Sequence, residues 1–172
     1  HESFMLVGKK TVDDPTVIAP AKIFQHIRFF LEKLFSLAAK KVFGLDVQVS
    51  RIFKSNLGFV PTLEVTRKIK AIKPDLVIVY YVADFLSERQ LLEVRRVTKA
   101  PLAFYLMDMG MLTGACHYAW DCKGYHTDCS DCPMIQSGVI KKIIARKWKS
   151  RRASYDQIQP VIISGSEQLS QQ

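Results

Sequence analysis

The chain opens with a short apolar run, Phe4-Met5-Leu6-Val7, stopped at Gly8, which predicts a buried strand. Lys9 to Pro20, carrying Pro15 and Pro20, predicts a loop. From Ala21 to Phe43 the residues Ile23, Phe24, Ile27, Leu31, Leu34, Phe35, Ala38 and Val42 recur at near-helical spacing. Lys22, Arg28, Lys33, Lys40 and Lys41 supply much of the rest, and Gly44 is a natural stop, so one long amphipathic helix or two in succession are expected. Val47, Val49 and Ile52 hint at a strand within Leu45 to Phe59. Thr62 is placed to cap a helix running to Ile72, ended by Lys73-Pro74.

The second half is patterned more sharply. Asp75 to Val82 is β-branched and apolar at both odd and even positions, as expected of a parallel strand covered on both faces. Ser87 and Gln90 have capping-box spacing before a helix over Glu88 to Val97, and Pro101 to Leu106 reads as a second buried strand. A polar insertion fills Asp108 to Pro133. A basic helix from about Val139 to Tyr155 and a strand from Pro160 to Ile163 complete the series, before Ser164-Gly165-Ser166. Alternating strands and helices predict an α/β fold with a doubly wound, mainly parallel sheet. Such sheets bind ligands at the carboxyl ends of their strands. That rule nominates Tyr80 to Phe85, Asp108 to Tyr118, and Ser164 to Ser166.

Composition narrows this picture. With 172 residues, 48% apolar and 24% charged, the chain has the balance of one globular domain. No uninterrupted apolar run reaches the roughly 18 residues of a membrane span; the longest candidate, Ile23 to Leu45, is broken by charged and polar residues, so a cytoplasmic location is expected. The start at His1 and the end at Ser170-Gln171-Gln172 suggest a segment of a longer protein. A net charge of +9 favours an anionic partner: a membrane surface, a nucleic acid or a phosphorylated substrate. Lys141, Lys142, Arg146, Lys147, Lys149, Arg151 and Arg152 gather on the basic helix beside an apolar stripe of Ile140, Ile143, Ile144 and Trp148. Such a helix either lies on an anionic membrane or packs on a core with a solvated outer face.

All four cysteines, Cys116, Cys122, Cys129 and Cys132, fall in the insertion. Cys129-Ser130-Asp131-Cys132 has the spacing that lets two thiolates share one metal ion, and Cys116 and Cys122 could complete a structural zinc site, with His117 or His126 as substitutes. Disulfides would staple the same loop in an oxidising compartment. A redox-active pair and free thiols are the other readings. Asp108 follows directly on a buried strand, where a carboxylate can accept hydrogen bonds from sugar hydroxyls, act as a base, or cap the loop's own amides.

The run from Asp108 to Pro133, with its aspartate, Thr113-Gly114, Cys116-His117-Tyr118 and a closing Cys132-Pro133, resembles the acceptor-domain loop of retaining family-four glycosyltransferases. The likeness is greatest to the branch that builds bacterial polysaccharides. Lys73-Pro74-Asp75-Leu76-Val77-Ile78-Val79, Phe85-Leu86-Ser87, the opening His1 to Lys10, and Val161 to Leu169 are similar to further segments of that family. The resemblance implies a GT-B architecture of two Rossmann-like domains. Residues 1–172 would be an incomplete N-terminal acceptor domain, with 108–133 a cysteine-rich loop inside it. The glycine-rich first loop and the donor domain would lie outside the chain, which alone would not catalyse.

By the same resemblance the whole protein would move a sugar from a nucleotide-sugar donor to a glycan or lipid-linked acceptor, with retention and without a catalytic metal. It would do so at the inner face of the plasma membrane. Asp108 would be catalytic, and Tyr80, Tyr81, Thr113, Gly114, His117 and Ser164 would bind acceptor. Two histidines frequent in the family are replaced here by Met107 and Tyr80, which leaves Asp108 as the candidate. Two other readings stand beside this one. One is a zinc-knuckle nucleic-acid binder, although the cysteine spacings fit no common finger and no nucleic acid is expected. The other is a non-catalytic relative of the transferases.

Overall fold

The computed structural model describes residues 2–43, 60–82 and 85–171. The strand hinted at by Val47, Val49 and Ile52, and the stop at Gly44, lie outside them. The fold is mixed α/β with two small parallel sheets, one of two strands and one of three. The chain divides into two compact units, His1–Asp75 with Val82–Ala100, and Leu76–Tyr81 with Pro101–Gln172.

In the first unit β1 (Met5–Leu6) pairs in parallel with β2 (Val17–Ile18). β2 lies inside the stretch expected to be loop: two residues between Pro15 and Pro20 are too few to show a period. Helix α1 (Lys22–Phe43) follows the predicted span. Its Ile23, Ile27, Phe30, Leu34 and Leu37 are exposed. The buried Glu64 carboxylate accepts from the Ala21 N–H at 3.1 Å, ahead of that helix, and lies 3.5 Å from both Arg67 and Lys68.

Helix α2 (Thr62–Ile72) begins one residue differently from expectation. Pro61 occupies the cap position with φ −56°, and Thr62 sits inside the first turn, so no side chain caps this helix. The capping box predicted for α3 (Glu88–Thr98) is present: Gln90 N–H donates to Ser87 Oγ and Ser87 N–H to Gln90 Oε1. Gln90 Nε2 also donates to Val60 O at 2.6 Å, tying α3 to the segment that leads into α2. The two helices pack together, with Val65, Ile69, Leu91 and Val94 buried.

In the second unit β3 (Val77–Val79), β4 (Leu102–Leu106) and β5 (Val161–Ser164) form a parallel sheet with β4 central. β4 matches its prediction, and Leu102, Ala103, Phe104 and Leu106 are buried. β3 is shorter than Asp75 to Val82, and its Ile78 is 43% exposed, so the expected covering of both faces is not seen. Val161, Ile162 and Ile163 of β5, on the sheet's other margin, are exposed as well. Helix α4 (Gly138–Ile158) buries Ile140, Ile144, Ala145 and Ile158, and its Tyr155 meets the Phe104 ring edge-on at 5.0 Å. Burying Phe104 contributes roughly 2–3 kcal/mol. Ser166 caps the short α5 (Glu167–Ser170) by accepting from Leu169 N–H. No helix among the described residues is long and apolar enough to cross a membrane.

Candidate functional site

The carboxyl ends of β3, β4 and β5 release Tyr80-Tyr81, Met107-Asp108 and Gly165-Ser166 at one margin of the sheet. β4 leaves Asp108 in fully extended backbone, φ −154° and ψ −174°, at the head of a 3-10 turn over Met109–Met111. One carboxylate oxygen, Oδ1, accepts the Gly110 N–H at 2.6 Å. The other, Oδ2, lies 2.7 Å from His117 Nδ1. Of the roles foreseen for this carboxylate, capping is the one the geometry shows. It caps its own loop, and it holds a second chemical group.

That second group changes the assignment. Asp108 is only 17% exposed, whereas His117 is 45% exposed. A carboxylate oxygen this close to Nδ1 orients the ring, and the partly exposed imidazole is the more accessible member of the pair. The Tyr81 ring stacks beside the imidazole with centroids 5.9 Å apart. His117 was expected to bind acceptor, but its partnership with Asp108 was not foreseen. Eight residues, a 3-10 turn and irregular chain, lie between the two, and no periodicity relates them.

The loop that joins them is closed on itself. Met109 N–H donates to His117 O at 2.8 Å, and the Thr113 hydroxyl donates to Cys116 O at 2.5 Å. Arg151 of α4 donates from one guanidinium nitrogen to the carbonyls of both Gly110 and Thr113. Gly110 leaves room for the pair: a Cβ there would meet Asp108 Oδ1 at 2.8 Å and His117 Nδ1 at 3.1 Å, so these side chains would have to shift. Neither Gly110 nor Arg151 was marked as a site residue by sequence. A glycine demanded by a close approach looks like any loop glycine, and Arg151 is one cation in a basic run.

Other nominated residues fall elsewhere. Thr113 is fully buried and spends its hydroxyl on the loop backbone, and Gly114 is packed so closely that a Cβ would meet Ile144 Cγ2 at 2.7 Å. Both therefore pack within the loop. Ser164 turns its hydroxyl to Ser166 O at 2.6 Å, closing the turn after β5. Tyr80 is exposed and its ring lies 5.3 Å from that of Tyr105.

The cysteines are free thiols, not disulfides. They are gathered: burial pushes the Cys116 thiol up to about 11, with Cys132, Cys129 and Cys122 each adding to the rise. Burial likewise raises Cys129, partly offset by the Gly114 N–H that its sulfur accepts at 3.3 Å. Gly124 N–H donates to Cys122 Sγ at 3.4 Å, and Cys122 and Cys129 pack against a buried cluster of Met109, Ala119 and Tyr125. Among the described residues no three His, Cys, Asp or Glu side chains are placed to hold a metal ion, so the zinc expectation meets no preformed ligand set. The His126 ring, a nominated substitute ligand, lies against Tyr125.

The basic helix keeps most of its cations at the surface, and some of them pair with the loop. Lys141 pairs with Asp131 at 2.7 Å, Lys149 with Asp128 at 3.8 Å, and Trp148 Nε1 donates to Tyr125 O at 2.9 Å. With Arg151 these contacts fasten the loop along the length of α4. Lys142 and Arg146 stay exposed. Comparison with known protein families, characterised proteins and solved structures finds no match, so geometry and chemistry carry the functional reading.

Proposed function

We propose that this chain is the acceptor-side part of a GT-B glycosyltransferase that moves a sugar, with retention, from a nucleotide-sugar donor to a glycan or lipid-linked acceptor. The observation that carries the reading is the Asp108–His117 pair, 2.7 Å apart, at the carboxyl end of the central parallel strand with the imidazole 45% exposed. It is supported by the loop's resemblance to the acceptor loops of that family. A doubly wound sheet completed by chain outside the described residues belongs to the same proposal, as does action at the cytoplasmic face of a membrane. The exposed apolar side chains of α1 suit that location.

The chemistry asked of the pair is modest. An acceptor hydroxyl donates its hydrogen bond to His117 Nε2. The bond from the sugar's anomeric carbon to the nucleotide phosphate breaks with its electrons, the hydroxyl oxygen bonds to that carbon on the same face so that configuration is retained, and the hydroxyl proton passes to the imidazole. Asp108 keeps the ring in the productive tautomer and stabilises the imidazolium. The donor is bound by residues outside this chain.

In the protein that joins this chain to its donor half, Asp108→Ala should lower transfer at least 100-fold while circular dichroism shows the fold retained. Full activity in that variant would end the assignment.

A further inference from the structure

The loop carries two large aromatic side chains that the proposed chemistry leaves unused. Trp120 is 85% exposed and Tyr118 60% exposed, with ring centroids 6.4 Å apart and planes inclined by 48°. A tryptophan so open to water forgoes the apolar contacts that usually place this residue in a core or an interface. Its backbone is also unusual. Trp120 has φ 51°, in the left-handed region that side chains with a Cβ disfavour and bulky ones disfavour most.

The exposure is built into the loop. Ala119, between the two rings, is buried with Met109 and Tyr125; its N–H donates to Met109 Sδ at 3.4 Å, and its carbonyl accepts from Cys122 N–H at 2.9 Å. Anchoring the residue between them turns both rings outward. Strain is retained at functional positions when the surroundings over-determine it, and here the surroundings hold an aromatic pair in water directly after His117.

We infer that Tyr118 and Trp120 form a stacking platform for a pyranose ring, next to the sugar whose hydroxyl meets His117. The acceptor is then an oligosaccharide of at least two residues. This rests on the reading of Asp108–His117 as a hydroxyl-binding pair. A pyranose fits the platform because its C–H face is apolar and slightly positive against the negative face of an aromatic ring, while its equatorial hydroxyls stay in water. An acyl chain or an apolar protein surface suits it less well, since the exposed charged residues Asp121 and Lys123 follow Trp120 closely in the chain and stand to be desolvated.

The test is binding of the chain to an array of immobilised mono- to tetrasaccharides built from hexoses, N-acetylhexosamines, deoxyhexoses and uronic acids, with hits titrated calorimetrically. Trp120→Ala and Tyr118→Ala should each weaken di- and trisaccharide binding by about tenfold and leave the monosaccharides unchanged. His117→Ala should weaken every ligand. If both aromatic variants bind like the wild type while His117→Ala is impaired, the platform is wrong and the hydroxyl site stands. If the wild type binds no glycan, both readings fall. Loss of binding to phosphatidylglycerol vesicles in Trp120→Ala, with glycan binding intact, would make the rings a membrane contact and overturn the inference.

Discussion

At the scale of single residues, the site turns on a carboxylate that serves two partners at once. Oδ1 shapes the loop through Gly110 and Oδ2 orients His117, so the group nearest solvent is the imidazole. Gly110→Ala isolates this arrangement. Its methyl group would press on both partners, so glycan binding should fall by at least tenfold while the melting temperature moves by only a few degrees. Heteronuclear NMR of the His117 ring should show the altered hydrogen bond directly, and an unchanged His117 signal would refute the crowding argument. Asp108 was legible in the sequence because a polar residue ending a buried apolar run falls where parallel sheets bind ligands. His117 was legible as a candidate acceptor-binding residue but not as a partner of Asp108. Its pairing depends on a chain reversal made by carbonyl and amide contacts that no side-chain pattern encodes. Trp120 gave no sign at all, since the left-handed region is advertised by glycine or asparagine and not by an aromatic residue.

At the scale of elements, α4 and the cysteine loop behave as partners. The basic run left open a membrane-lying helix or one packed on a core with a solvated outer face; α4 buries its apolar stripe, and Lys141, Lys149 and Arg151 also pair with the loop. Sequence shows where cations are but not which way they point when the opposing element is irregular. Arg151→Met should destabilise the chain by about 1–3 kcal/mol, measured by urea unfolding, because the Gly110 and Thr113 carbonyls lose their donor. The buried Nε of Arg151 has no partner among the described residues, so the gain from removing it will offset part of that cost. Thiol burial makes a separate prediction for the metal-free chain. Folding favours protonated Cys116, whose thiol moves from 9.0 to about 11. This contribution is fully present below pH 9 and is lost as pH rises toward 11. Thermal melts should show the decline, and Cys116→Ala should make it shallower; an unchanged slope would mean the thiol is not buried as described. Elements with local signatures, such as the capping box of α3 and the apolar run of β4, were read correctly. β2 and the ends of β3 were not, because two- and three-residue strands are set by their pairing and not by their own composition.

At the scale of the whole molecule, a mixed α/β fold with parallel strands is what alternating apolar runs and amphipathic helices dictate. Its division into two small sheets is not, because sheet membership depends on pairing across long stretches of chain. The exposed faces of Ile78, Val161 and Ile162 show how far the run-length argument for burial reaches: a continuous apolar run records the need for cover, and the cover itself must come from other chain. The central strand is the exception. Phe104→Ala should destabilise the chain by about 3–5 kcal/mol in denaturant unfolding, as expected for a fully buried phenyl ring packed against Tyr155. A loss below 1 kcal/mol would mean that the three-stranded sheet does not hold its core as described.

Trp120 has one more consequence. The chain has two tryptophans, and they occupy opposite environments: one stands in water on the loop, and the other, Trp148, is half-buried and hydrogen-bonded to Tyr125. Light emitted by the first should be red-shifted and readily quenched by acrylamide, while the second should be shielded. Anything that settles on the loop therefore announces itself in the fluorescence of the unlabelled chain, and anything that merely loosens the fold alters the other emitter instead.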